Sequence, residues 1–301
     1  MTLNNILRQV RRVPNRSKRL VQMLWLTSKY QIVNRFHKKS LRGDLELVVS
    51  LTSYGQRTNS VFLTIESIFA GRKQPKRIIL WIDEIEVFEN LPSSLRRLQN
   101  RGLEIIHCLN YGPHKKYFPY ILSTDDDSAA PLVTADDDIF YPTNWLDSLY
   151  KEYLSSKNCI VSHRARQISL TGSELPIIEK YSNWKLSGSI EPSFATFSTG
   201  TGGVIYPPTV QRALRNRGED FTDNYWHADD IWLHSTAVMA GVRTRQVTSS
   251  PKNFLMLLGS QANALFKRNH EGDGNDLMIQ SAYSRDLVES IAGDVEAINK
   301  V

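Results

Sequence analysis

From Leu45 onward, short apolar runs alternate with segments whose apolar residues recur at helical spacing. Leu45–Leu51 has the run length of a first strand and ends in the polar loop Thr52-Ser53-Tyr54-Gly55-Gln56-Arg57. Val61, Ile65, Ile68 and Phe69 then share one face of a helix that Gly71 closes. Arg77–Ile82 is almost wholly apolar, the mark of a strand buried on both faces, and gives way to Asp83-Glu84. Leu95 and Leu98 mark a short helix closed by Gly102, and Leu103–Cys108 predicts a third strand. A helical stretch near Lys115–Leu122 leads through a polar segment to a fourth strand, Pro131–Ala135. Leu146, Leu149, Tyr150 and Tyr153 predict another helix, and Cys159–Val161 another strand. The remainder is less regular: a loop-rich 169–192, the small-residue segment 198–203, a strand at Val204-Ile205-Tyr206 and a helix opening at Trp226–Asp230 and stopping at Gly241.

Strands alternating with helices predict an α/β fold built from βαβ units, whose right-handed crossovers give a mostly parallel sheet flanked by helices. Ligands of such sheets bind beyond the carboxyl ends of the strands, so those ends are where chemistry is sought.

Residues 1–44 break this pattern. They hold eleven Lys/Arg against one acid, Asp44, a net +10, while the remainder carries 26 basic and 30 acidic residues, a net −4. A mildly acidic body with a basic arm does not read as a nucleic-acid-binding fold, where the cationic stripe lies on the folded surface. Leu20, Val21, Leu24 and Trp25 recur within the arm at helical spacing among Arg16, Lys18, Arg19 and Lys29. Such a helix can lie on an anionic membrane surface with Trp25 at the headgroup level, or pack on the domain as a solvated basic face. The expected organisation is therefore a basic helical arm, 1–44, and one domain, 45–301. Hydrophobic residues at 41% and charged residues at 23% fit a folded globular chain, and no run approaches the ~20 apolar residues of a spanning helix. The start has no pattern of a cleaved signal, and the two cysteines, Cys108 and Cys159, favour neither a disulfide framework nor a four-ligand zinc site. A cytoplasmic protein, peripheral on the inner membrane face, is the expectation.

The strongest chemical signal is Asp136-Asp137-Asp138 at the end of the fourth predicted strand. Adjacent carboxylates repel, so a strand end holds three of them only where something cationic compensates. Hard oxygen donors suit Mg²⁺ or Mn²⁺, which commonly bridge substrate phosphates. A solvated acidic turn is the plainer reading, and it suits Asp125-Asp126-Asp127 better. The Asp-x-Asp-x-Thr/Val pattern of a phosphatase fails, because Phe140 occupies its fifth place. Gly200–Gly203 lacks the Lys-Ser/Thr of a P-loop and the spacing of a dinucleotide fingerprint. No hydrolytic Ser/His/Asp or Cys/His set is recognisable.

Thr134–Pro142 resembles the DXD region of GT-A nucleotide-sugar glycosyltransferases, particularly inverting bacterial enzymes of cell-surface polysaccharide synthesis. Val49–Tyr54, Gly112–Tyr117 and Ala228–Trp232 resemble further segments of that group in the same order, over roughly residues 45–240. The resemblance implies metal-dependent sugar transfer from a nucleotide-diphosphate donor to a hydroxyl of a glycan or lipid-linked acceptor. It places Thr52, Ser53, Arg57 and Asp83 around the nucleoside, with Lys115 or Lys116 near the phosphates. Asp136 would meet the ribose or metal, and Asp138 would hold the metal, with His270 or His227 as a further ligand. Asp229 and Asp230 resemble the motif that supplies the general base, Asp230 being the favoured candidate. A base there must take the acceptor's proton as oxocarbenium character develops, and a helix N-terminus favours its ionised form. Asp83 and Asp229 also suit plain capping roles. Trp184, Tyr225, Trp226 and Trp232 are candidates for stacking on sugar, though aromatics at such positions more often form core. A nucleotidyltransferase would also use paired Asp and Mg²⁺, but its first loop is richer in glycine than Tyr54–Arg57. A non-catalytic binding protein of the same fold is the remaining alternative.

Overall fold

The computed structural model describes residues 3–125, 129–156, 158–172, 175–258 and 274–299. Seven strands form the main sheet: β1 (Leu45–Thr52), β2 (Pro75–Ile82), β3 (Glu104–His107), β4 (Leu132–Thr134), β5 (Ile160–Ser162), β6 (Val204–Tyr206) and β7 (Thr244–Gln246). Their order is β3-β2-β1-β4-β6-β5-β7, and β6 alone runs antiparallel to its neighbours. The carboxyl ends of the other six therefore share one edge.

Alternation along β2 explains its apolar run. Ile79 and Trp81 enter one core layer, while Ile78, Leu80 and Ile82 enter the layer on the opposite face. Both faces of this strand are thus buried, as expected for a parallel sheet. Trp81 satisfies its indole by donating to Ser50 Oγ (2.9 Å) on the adjacent strand β1, two residues from its own register partner Thr52.

Helix α1 runs from Leu3 to Phe36, 34 residues. Its division from the domain at residue 44 is not a packing boundary. Tyr30 is buried and stacks on Phe140, and Asn34 is buried, donating to Glu66 Oε1 and the Ser94 carbonyl. Leu41 is fully buried as well. The last turns of the arm thus belong to the core, because an apolar side chain recurs there on the face toward α2 (Val61–Phe69).

Differences from the sequence expectation are local. The stretch at 115–122 is a 3₁₀ turn, Gly112–Lys116, followed by a short helix, Phe118–Leu122, because Pro119 sits where a continuous helix would need an N–H. The irregular 169–192 contributes short ladders: Ala165–Gln167 pairs antiparallel with Lys185–Leu186 and with Thr196–Ser198. Trp184 and Trp232 are buried core residues and Tyr225 nearly so, which removes them as sugar-stacking candidates; Trp226 is partly exposed. Cys108 and Cys159 are buried free thiols. Among the described residues, no helix is long and apolar enough to cross a membrane.

Candidate active site

The acidic triplet lies where β4 ends, in a loop held from several sides. The Asp136 N–H donates to Tyr141 Oη (2.9 Å), Thr64 Oγ1 donates to the Asp137 carbonyl (3.0 Å), and the Leu257 N–H donates to the Asp138 carbonyl (2.7 Å). Arg57, from the turn after β1, places one guanidinium nitrogen 2.6 Å from both Asp137 and Asp138. Ser53 Oγ donates to Asp137 (2.7 Å). Burial still pushes the Asp137 carboxyl up to about 6 against the pull of Arg57. Lys116 Nζ sits 2.8 Å from Asp136. The compensating charge that the triplet demands is therefore supplied, in this structure, by Arg57 and Lys116.

Lys116 arrives with the turn after β3. His114, two residues earlier, is buried with its ring stacked on Phe221 (4.0 Å). Its Nε2 lies 2.8 Å from the Tyr225 carbonyl, which can only accept, so Nε2 carries the proton and Nδ1 accepts from Tyr117 Oη (2.7 Å). Burial holds this imidazole below its ordinary pKa, against the opposing pull of Asp229. His114 thereby joins the Lys116 turn to the segment entering α3 (Asp229–Met239), whose first turn bears Asp229 and Asp230.

Both acidic motifs meet on the small-residue loop between Ser198 and Val204. The Gly200 N–H lies 3.0 and 3.1 Å from the two Asp230 oxygens, and the Gly202 N–H donates to Asp136 (3.3 Å). A Cβ on Gly200 would fall 2.9 Å from Asp230 Oδ1, and one on Gly203 would fall 2.6 Å from the Trp145 ring. Gly202 and Gly203 have φ of +92° and +96°, which side chains resist. Trp145 Nε1 fastens the loop by donating to the Gly202 carbonyl (2.6 Å). Burial, then the neighbouring Asp229, raises Asp230 to about 7, opposed by the Gly200 N–H and Lys116. For Lys116, burial opposes the charge, but Asp136 and Asp229 outweigh it and hold the ammonium well above its ordinary pKa.

A cavity of about 710 Å³ opens at the carboxyl ends of β1 and β2, along the turn that carries Arg57. The 3₁₀ turn Gly55–Asn59 and the segment from Glu84 to Pro92 line it, and the Gly55 N–H donates to Glu84 across it (2.8 Å).

Several expected site residues are placed differently. Thr52 is buried, its hydroxyl donating to the Trp81 carbonyl (3.0 Å), and the Ser53 hydroxyl is taken by Asp137. These two hydroxyls point into the fold, leaving Gly55 and Glu84 to face the cavity. Asp83 is paired with the buried Lys115, both side chains nearly inaccessible, so its carboxylate is spent on a structural pair rather than presented to a ribose. Arg57 clamps carboxylates. His227 is exposed, and His270 lies outside the described residues. Asp136 and Asp138 are hard oxygen donors of the kind Mg²⁺ and Mn²⁺ take, yet among the described residues no third Asp, Glu, His or Cys joins them as a cation-binding set. Sequence reasoning missed His114, which lacks a distinguishing spacing.

No protein-family model matches the chain, and no curated protein does. Solved structures with a similar fold include S. aureus TarS 1–349, at 12% identity and a TM-score of 0.45, over 70% of this chain and 59% of that one. They also include 4-diphosphocytidyl-2C-methyl-D-erythritol synthase from Anaerococcus prevotii, at 10% identity and a TM-score of 0.45, over 77% of this chain and 95% of that one. This chain thus spans less than two thirds of the TarS fragment it matches. The structure itself shows an α/β protein with a mostly parallel seven-stranded sheet flanked by helices, its acidic loop at the carboxyl edge.

Proposed function

We propose that the protein transfers a sugar from a nucleotide-diphosphate donor to an acceptor hydroxyl, with inversion. One observation carries the reading: Asp136 and Asp230, far apart in sequence, are gathered on one glycine loop, with Lys116 between them, at the sheet edge that also opens a cavity at the ends of β1 and β2. The cavity has the size and place for a nucleoside, and Lys116 and Arg57 are the cations that a departing diphosphate would meet. Asp230, raised toward neutrality and held by the Gly200 N–H, fits a general base, whose pKa works best near the operating pH. Asp229, on the side of His114 and Lys116, raises the Asp230 pKa and so tunes that base.

Divalent cations are often held by one or two carboxylates together with substrate phosphates. Asp136 and Asp138 would be the protein's share, the donor diphosphate completing the set, and the cation would neutralise charge on the leaving group. The test is a screen of nucleotide sugars for thermal stabilisation with and without Mn²⁺, followed by assay of the stabilising donor. Release of free nucleoside diphosphate is expected. Release of pyrophosphate would mean nucleotidyl transfer, and no stabilisation of a folded sample by any nucleotide sugar would refute the reading.

The acceptor in this proposal is a growing or lipid-linked surface glycan, and α1 brings the enzyme to it. Leu20, Val21, Leu24, Trp25, Ile32 and Phe36 are all exposed, Trp25 by 60% and Phe36 by 70%. At 100° per residue they fall within one half of the helix surface, with Lys18, Lys29 and Arg35 at its borders or among them. An apolar stripe bordered by cations matches an anionic bilayer surface. Flotation with phosphatidylglycerol-containing vesicles tests this: Leu24→Glu/Trp25→Glu is expected to abolish co-flotation, and unchanged binding would refute it.

A further inference from the structure

Arg164 and Arg166 flank the first residue of the short strand Ala165–Gln167, two positions apart and so on the same side of an extended chain. Both are half-buried, and the Nε of each is buried without a hydrogen-bond partner. Arg164 donates to Thr199 Oγ1 (3.2 Å), and Arg166 donates to the Trp184 carbonyl and lies over the Tyr181 ring, 4.9 Å from its centre. Among the described residues, neither guanidinium has a carboxylate within ion-pair distance. This sets them apart from the other arginines near the site, since Arg57 is bound to two aspartates.

A partly buried cation without a counter-charge is costly. Burial, then the neighbouring Arg166, lowers the Arg164 pKa, while the charge of Asp230 acts in the opposite sense. Asp230 is also felt at Tyr181. The pair is tied to the reaction centre covalently and by hydrogen bonds: the Thr199 N–H donates to the Arg164 carbonyl (3.1 Å), and the next residue, Gly200, holds Asp230. The nucleoside cavity lies on the far side of the acidic triplet, along β1 and β2.

We infer that Arg164 and Arg166, the latter held against the Tyr181 ring, form an anion-recognising acceptor subsite, so that the acceptor carries a phosphate or carboxylate near the hydroxyl that Asp230 activates. Guanidinium forks match both groups bidentately. The inference rests on the sugar-transfer reading for the word acceptor; the anion site itself rests only on the geometry. Two sources have the required chemistry, the diphosphate of a lipid carrier and an acidic sugar of the glycan.

The experiment is calorimetric titration of the full chain with methyl glucuronide, geranyl diphosphate and methyl glucoside, and separately with UDP, GDP and CDP. The wild type is expected to bind at least one anionic probe tenfold or more tighter than the neutral glucoside. Tighter geranyl diphosphate indicates the lipid carrier, and tighter methyl glucuronide the acidic sugar. Arg164→Gln and Arg166→Gln are each expected to remove that preference while leaving nucleoside diphosphate binding unchanged. The double variant Arg164→Lys/Arg166→Lys, which keeps both charges, should retain part of it and guards against misfolding as the cause. The inference is overturned by wild-type protein that binds no anion better than glucoside. It is equally overturned if a nucleoside diphosphate competes with the anionic probe, or if Arg164→Gln weakens both alike, since the arginines would then serve the donor. Nucleoside diphosphate binding without anion binding sinks this inference alone; anion binding without any nucleotide sugar or nucleoside diphosphate binding sinks the sugar-transfer reading alone.

Discussion

At the scale of single residues, three aspartates in a row divide their labour. Asp137 and Asp138 are nearly buried and serve the loop, Asp137 through Ser53 and both through Arg57, while Asp136 is partly exposed and meets Lys116. Removing Arg57 strands two carboxylates, and breaking such a buried pair costs roughly 3 kcal/mol. Arg57→Met is therefore expected to lower stability by about that amount in urea unfolding, whereas Asp147→Asn, whose partner Lys151 is exposed, should change it by less than about 1 kcal/mol. In the proposed reaction Asp230 carries the pH dependence. Its carboxyl is raised to about 7, so the ionised base form is lost as pH falls through neutrality. The turnover rate is expected to fall on the acid side with an apparent pKa near 7. Asp229→Asn removes a charge that raises this pKa and should shift the acid limb to lower pH. Asp230→Asn should lower kcat by roughly 10²- to 10⁴-fold, the usual contribution of a general base.

At the scale of elements, the glycine loop and the His114 turn are the parts that hold the two acidic motifs in register. Gly200→Ala drives a methyl against Asp230, and the expected result is a large loss of kcat with a small change in melting temperature, because the loop lies at the surface of the sheet edge. His114→Leu leaves the Tyr225 carbonyl and the Tyr117 hydroxyl unsatisfied in a buried place. A stability loss of about 1–3 kcal/mol is expected in chemical unfolding, the cost of such orphaned groups. Periodicity announced the helices and strands around these parts, but not the parts themselves. A lone histidine in a turn and an arginine in an irregular segment look like ordinary surface residues until the fold brings their partners near.

At the scale of the whole molecule, the site sits at one edge of a sheet whose strands nearly all point the same way, and it gathers more acid than base. Asp136, Asp137, Asp138, Asp229 and Asp230 face Arg57 and Lys116, with Arg164 close to Asp230. Because protein cations already occupy the carboxylates, Mn²⁺ alone is expected to shift the melting temperature little. Mn²⁺ together with the cognate nucleoside diphosphate should shift it more than either alone, which differential scanning fluorimetry would show. Equal shifts with and without nucleotide would point to a metal site complete within the protein. The arm is likewise an issue of the whole chain. Its basic excess and apolar spacing were readable in the sequence, yet the same helix is core at Tyr30 and Asn34 and exposed at Trp25 and Phe36.

Local pattern was sufficient for the alternation of strands and helices, the doubly buried β2, the strand-end position of Asp136–Asp138 and the helix-start position of Asp229–Asp230. Those features depend on residues near one another in the chain, so spacing reveals them. What neutralises the aspartates, which face Thr52, Ser53 and Asp83 present, and how the glycine loop ties Asp136 to Asp230 were decided only by the tertiary structure. Each is a pairing across 20 to 84 residues, and the partner's charge or hydrogen bond, absent from local spacing, determines what each side chain can do.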